Sequence, residues 1–333
     1  MKPFNILFTS AGRRVSLIKH FKGVLSQLGL SGKVVTTDVN KHAPAAFISD
    51  LHILVPRATE PDYIEKLMDI CSRHEVRLLI PLVDTELHLL ACRKEQFEQL
   101  GVTVLVCSPE VNDICYDKRN THRFFRNIGV KTPEVLDPEH LLEDSSFEYP
   151  VFLKPATGSS SKGATLIHNA RELRFFKDYV PDAIVQENIE GEEFTLDVFV
   201  DFKGSVRCIV PRKRIETRAG EVSKGMTVKH PEIMAGGTKV VEKLPGAIGC
   251  VTVQCFLTAA GEVIFIEINP RFGGGFPLSI KAGADFPRWI VELMLGMEPD
   301  ISLDNWQDGV VMLRYDDEII VSKEMIDEPS YRI

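Results

Sequence analysis

Along the first hundred or so residues, short apolar runs rich in β-branched side chains alternate with amphipathic stretches. NILFTS (5–10), KVVTTD (33–38), VRLLIPL (76–82) and VTVLVC (102–107) predict strands. Between them, 13–29 and 85–101 carry helical periodicity and end at Gly29 and Gly101, and 61–75 is a helix opened by Pro61. Such alternation predicts a parallel sheet with helices on both faces. Ligands of such sheets sit beyond the strand carboxyl ends, which puts Ser10, Gly12, Arg13, Asp38 and Asp84 on one rim.

The pattern then changes. Residues 116–135 predict a helix capped by Asp117 and ended by Gly129, with Pro133 barring its continuation. From about 150 the signal is α+β: strands at 149–156, 164–168, 183–191, 193–201 and 206–214, and a helix at 170–180. A hairpin follows at 249–258 and 262–270, then a helix at 285–296. The tail from 304 reads as a strand pair with polar ends. The expected units are 1–112, 113–190 and 191–333. No internal repeat or low-complexity segment interrupts them.

The last strand of the hairpin, VIFIEINPRFGGG (263–275), poses a chemical question. Alternation turns Ile264, Ile266 and Ile268 one way and Val263, Phe265, Glu267 and Asn269 the other. A carboxylate on a half-buried strand is costly unless something neutralises it. With Ala260-Gly261 as a two-residue turn, Gln254 faces Glu267 across the hairpin. Gln254, Glu267 and Asn269 then form a cluster of oxygen donors that suits Mg2+ shared with phosphate. The alternative is a structural glutamate paired with Arg271.

Composition narrows the classes. The chain has 333 residues, 44% hydrophobic and 26% charged, with 39 basic against 47 acidic side chains and a net charge of −8. That balance disfavours a nucleic-acid or anionic-membrane binder, and leaves a small anionic ligand open. Seven cysteines without CxxC spacing suggest buried free thiols and no zinc site. No apolar run is long enough to cross a bilayer, and the first residues do not read as a signal peptide. The expectation is a cytoplasmic protein.

Three further segments carry possible chemistry. LKPATGSSSKGA (153–164) follows a strand and offers a backbone nest for phosphate, with Lys154 four residues before Gly158. Ala164 and Thr165 stand where a P-loop needs Lys and Ser/Thr, so this is not that motif. TSAGRR (9–14) likewise lacks the dinucleotide glycine fingerprint. VQENIEGEEF (185–194) sets Gln186, Glu187 and Glu193 at a strand end, where a nucleoside needs an acceptor and a ribose-binding carboxylate; a solvated acidic turn is the alternative. RKRIETRAGEVSKG (212–225) is basic and reads as a loop able to close over phosphates, or simply as a solvated one.

Taken in order, these segments resemble the ATP-grasp superfamily, in its carbamoyl-phosphate-synthase-large-subunit-like and PylC-like branch, over about residues 1–300. The resemblance implies an N-terminal Rossmann-like pre-ATP-grasp sheet, then a two-lobed ATP-grasp fold. It implies ATP contacts at Lys118, Lys154, Gly158, Ser159, Ser160, Gly163, Glu187, Asn188, Ile189, Glu193 and, loosely, Arg218. Glu187 would accept from the adenine amino group and Glu193 would hold the ribose. It implies one or two Mg2+ ions, with Mn2+ as a substitute, on Gln254, Glu267 and Asn269. Lys154 and Arg271 would act on the transferred phosphoryl group. Family chemistry is the ligation of a carboxylate to an amine or thiol through an acyl phosphate, with small-molecule acid and amine as partners. Arg13 would hold a substrate carboxylate, Asp84 and Glu86 an amine, and Gly273 and Gly274 would open the backbone to the acceptor. Helix capping is the alternative for Asp84. A single subunit of a split synthase and a non-catalytic ATP-binding protein remain competing readings. A homodimer or a second subunit is compatible with either.

Overall fold

The computed structural model describes residues 3–158 and 163–327. The N-terminal sheet holds β1 (Asn5–Thr9), β2 (Val34–Asp38), β3 (Leu51–Leu54), β4 (Val76–Pro81) and β5 (Thr103–Val104). All its strands are parallel, in the order β3-β2-β1-β4-β5. The order reverses between β1 and β4, so their carboxyl ends open a crevice. β3 is only four residues long, with His52 inside it, and does not stand out in the sequence. The helix expected over 85–101 breaks at Arg93 into Asp84–Cys92 and Lys94–Gln99.

A small antiparallel sheet follows, β6 (Val135–Leu136), β7 (Val151–Pro155), β8 (Thr165–Ile167) and β9 (Ala183–Glu187), in the order β6-β9-β7-β8. The large antiparallel sheet contains β10 (Glu192–Val200), β11 (Val206–Arg218), β12 (Glu221–Thr227), β13 (Gly249–Leu257), β14 (Val263–Asn269) and β15 (Val311–Leu313), in the order β14-β13-β10-β11-β12-β15.

Two expectations fail here. The basic stretch 212–225 is not a loop: β11 and β12 run through it and join at Ala219-Gly220, both at positive φ, as a tight hairpin turn requires. The tail is not a strand pair: β15 pairs with β12, and the described remainder holds a short helix, Lys323–Asp327.

One face of the large sheet packs Phe194, Leu196, Val198, Ile209, Val251, Val253, Phe265 and Ile268 into a core with the helix Pro231–Glu242. Another core joins the N-terminal sheet to the large one. Phe8, Ile18 and Phe21 meet Phe272, Phe276 and Phe286, with the Phe21 and Phe272 rings edge to face at 6.2 Å. This packing fixes the β1/β4 crevice against the end of β14.

Candidate active site

The β13–β14 hairpin shows how the site is placed. Its turn has three residues, Ala259 to Gly261, closed by the Thr258 N–H to Glu262 carbonyl bond at 3.0 Å. That register sets Cys255 opposite Phe265. A bulge at Ile266 then shifts the pairing, so Gln254 does face Glu267 and Thr252 faces Asn269. The expected two-residue turn is therefore wrong, and the bulge restores the expected pairing. It also breaks the alternation. Phe265 and Ile268 enter the core, whereas Ile266 lines the same cleft as Glu267 and Asn269.

Across the sheet, one transverse row reads Glu267, Gln254, Thr195, Arg212, Thr227. Alternation places Glu193 and Asp197 on the same face as Thr195. Gln254 turns its amide nitrogen to Glu267 at 3.0 Å, and its oxygen accepts from Arg214 at 3.3 Å. Glu267 is thus paired with Gln254, and Arg271 pairs elsewhere. In this arrangement the Gln254 oxygen is taken by Arg214, and the Asn269 oxygen likewise accepts from Arg271 at 3.4 Å, so of the three expected ligands Glu267 alone keeps a carboxylate oxygen clear of an arginine. Among the described residues no group of three His, Cys, Asp or Glu forms a metal cage. One carboxylate with neighbouring amides fits a hard divalent ion that takes its remaining oxygens from phosphate.

The cleft between the small and large sheets has a volume of about 500 Å3, in the range of small-molecule sites. Six basic side chains line it against four acidic ones, in a chain of net charge −8. Lys118, Lys154, Gly158, Glu187, Asn188, Ile189, Glu193, Gln254, Glu267, Asn269, Arg271, Gly273 and Gly274 all reach it. Phe152, Phe256 and Ile266 give it an apolar part. Burial pulls the Lys154 ammonium down to about 8, opposed by Glu267 and assisted by Lys118. Lys118 donates to the Gly158 carbonyl at 2.8 Å. Burial raises the Glu193 carboxyl; Arg214 opposes the shift and Glu267 adds to it. The Glu187 carboxylate accepts from the Glu134 N–H at 3.3 Å. Ser159 and Ser160 lie outside the described residues. Gly163 is described but does not line the cleft; a side chain there would meet Pro155 at 3.1 Å.

Arg218 is misplaced by the sequence reading. It stands exposed at the β11–β12 turn and pairs with Asp316 at 3.0 Å. Arg214 reaches into the cleft instead, 3.1 Å from Glu193, and burial lowers its pKa with Glu193 opposing. Arg212 is fully buried below, bidentate to Asp197 at 2.7 and 2.9 Å, with one guanidinium nitrogen unpartnered. Two-residue alternation in RKR, with Arg212 and Arg214 sharing a face and Lys213 opposite, was the available signal.

The acceptor residues also need correction. Glu86 is fully buried. It takes the Tyr63 hydroxyl, the Ser10 hydroxyl at 3.0 Å and the Leu82 N–H at 3.0 Å, so it holds the crevice together and cannot meet a substrate amine. Asp84 neither caps its helix nor stands free: Val83 is the N-cap, and Asp84 grips Arg271 bidentately at 2.7 and 2.6 Å. Burial opposes the charge on Arg271, but Asp84, together with Glu267 and Glu221, outweighs it and the pKa lies above the ordinary value. Arg13 is largely exposed, 3.9 Å from Glu221. Its neighbour Arg14, unremarked in the sequence, lines the cleft. The glycines of 273–275 make room for these side chains. A Cβ on Gly274 would lie 2.9 Å from an Arg14 nitrogen, and one on Gly275 only 2.3 Å from an Arg212 nitrogen.

Two family models match the chain in succession: the PylC-like N-terminal domain over residues 6–105, and the ATP-grasp domain over residues 115–275. The chain belongs to the ATP-grasp superfamily. Among its relatives, a D-alanine–D-alanine ligase of Petrotoga mobilis is 28% identical over 44% of this chain and 51% of its own. A 3-methyl-D-ornithine–L-lysine ligase of Methanosarcina barkeri is 30% identical over 51% and 41%. The chain thus spans about half the length of these curated relatives or less. The biotin carboxylase domain of the Hydrogenobacter thermophilus 2-oxoglutarate carboxylase, solved with MgADP and bicarbonate, superimposes with a TM-score of 0.73. That match has 17% identity and covers 93% of this chain and 74% of that one, a likeness of fold. The ATP-grasp architecture accounts for the two antiparallel sheets facing each other across the cleft.

Proposed function

We propose that the chain is an ADP-forming ligase that joins a small carboxylic acid to an amine, or a thiol, through an acyl phosphate. The observation that carries this is the cleft itself, in which Lys118, Lys154 and Arg271 converge with Glu267 and Asn269. The excess of basic side chains suits a triphosphate, and the apolar part suits a purine. Glu267 and Asn269 would hold Mg2+, joined by Gln254 if its amide turns over; the ion neutralises phosphate charge when bound. A carboxylate oxygen of the acid attacks the γ-phosphorus, the bond to the bridging oxygen breaks, and ADP leaves. The amine then attacks the acyl carbon and phosphate departs. The protein's share is positioning and charge compensation by Lys154, Lys118 and Arg271, so no enzyme nucleophile is needed.

The test is ADP release from MgATP over a matrix of acids crossed with amines, with Glu267→Ala alongside. Release that depends on a particular acid, and falls to below about a hundredth in the folded variant, is the expected result. ADP production by Glu267→Ala at the wild-type rate would overturn the assignment.

A further inference from the structure

Beside the nucleotide cleft lies a second chamber of about 280 Å3, at the carboxyl ends of β1 and β4. It shares Arg14, Glu221, Arg271, Gly273 and Gly274 with the cleft, so the two spaces are contiguous. Four guanidiniums line it, those of Arg13, Arg14, Arg271 and Arg314, against two carboxylates, those of Asp84 and Glu221.

Both carboxylates are already committed. Asp84 is held bidentately by Arg271. Glu221 lies 3.4 Å from Arg314 and 3.9 Å from Arg13, and meets the space above Gly274 together with Arg14. An ammonium entering here would find no unengaged carboxylate and would add to a surplus of positive charge. A second feature points the same way. The thirteen-residue helix Val15–Gln27 starts at this chamber, with no capping side chain and no acidic residue in its first turn. Ser16, in that turn, lines the space. A helix amino end left in this state favours an anion. Burial and the nearby Arg271 lower the pKa of Arg14 to about 10, so it stays charged at neutral pH while lacking a full counter-charge.

Building on the ligase reading, we infer that the acid this chain activates carries a second anionic group and no ammonium. The reacting carboxylate lies toward Arg271 and the cleft. The second anion, a carboxylate or a phosphate, lies between Arg14, Arg314 and the start of the Val15–Gln27 helix. The substrate class is therefore a dicarboxylate or a phosphorylated acid. This separates the chain from the relatives above, whose names specify amino-acid substrates.

Calorimetric titration in the presence of Mg2+ and a non-hydrolysable ATP analogue tests this. The probes are succinate, glutarate and 3-phosphoglycerate, set against butyrate, alanine and lysine. At least one of the first three should bind saturably and at least about tenfold more tightly than any of the others. Arg14→Gln should weaken that binding about tenfold or more. Arg314→Gln, at a partly exposed site, gives a second reading should the first variant fold poorly. The inference falls if butyrate or an amino acid binds as well as the best of succinate, glutarate and 3-phosphoglycerate, if none of those three binds, or if both folded variants bind the best of them like the wild type. ADP release over the same probes separates the two claims. Diacid-selective binding with no turnover for any amine would count against the ligase reading alone. Turnover that prefers an amino acid would count against the inference alone.

Discussion

Two bidentate arginine–aspartate pairs lie near the cleft and do different things. Arg212–Asp197 joins neighbouring strands of one sheet, with side-chain exposures of 1% and 0%. The Ser279 hydroxyl also donates to Asp197. Arg271–Asp84 joins the end of β14 to the N-terminal region, 187 positions away in sequence, with exposures of 13% and 17%. The first pair is a buried foundation. The second is a strap that aims a cleft-lining guanidinium. The same chemistry thus serves stability in one place and positioning in the other, and burial decides which.

Removing Asp197 should hurt the fold most. Asp197→Ala leaves Arg212 buried without its counter-charge and should cost about 3–5 kcal/mol in urea unfolding. The double variant Arg212→Met/Asp197→Leu should recover much of that loss. Asp84→Asn should cost less, about 1–3 kcal/mol, because water reaches that pair. It should also lower ADP release about tenfold by freeing Arg271. If Asp84→Asn matched Asp197→Ala in stability and left turnover intact, the distinction between foundation and strap would collapse. Gly275→Ala presses a methyl toward Arg212 and should cost about 1–2 kcal/mol through that close approach, whereas Gly261→Ser in the open β13–β14 turn meets no neighbouring atom and should cost only the strain of its positive φ, about 1 kcal/mol.

A pH response tests the cleft from another side. Lys154, held near 8, should lose its proton as pH rises through that value. MgATP affinity should then fall between about pH 7 and pH 9, and Lys154→Arg should hold it level. The unfolded chain keeps that proton up to the ordinary 10.5, so it binds more protons above pH 8. The contribution of Lys154 to stability therefore rises from about pH 8 to about 10.5, and Lys154→Met should flatten that slope. Arg218→Gln, at an exposed pair, should change neither stability nor turnover measurably.

What was legible in the sequence follows from range. β1, β2 and β4 announce themselves through local apolar runs, and Gln254 and Glu267 through the hairpin that pairs them. The cleft contacts of Lys154, Glu267 and Asn269 could be anticipated because each sits in a short segment of strong local character. Glu86 misled, because its burial depends on Tyr63 and Ser10, which are distant in sequence. Asp84 misled for the same reason, its partner being set by how the N-terminal sheet packs on Phe272 and Phe276. The Ile266 bulge, the Arg14 environment and the role of Arg314 at the strand edge arise only when three sheets meet. The helix Pro231–Glu242 was missed because its two glycines lower helix propensity; Gly237 fits where Leu196 would lie 2.4 Å from a Cβ.

The Asp84–Arg271 strap also bears on recombination between proteins of this architecture. An N-terminal segment transplanted from another chain to change the acid accepted must bring a carboxylate to the place of Asp84. Without one, the graft would inherit a new chamber and a slack arginine. A chimera library filtered for that single acid should therefore hold a larger share of working enzymes than one filtered for overall similarity.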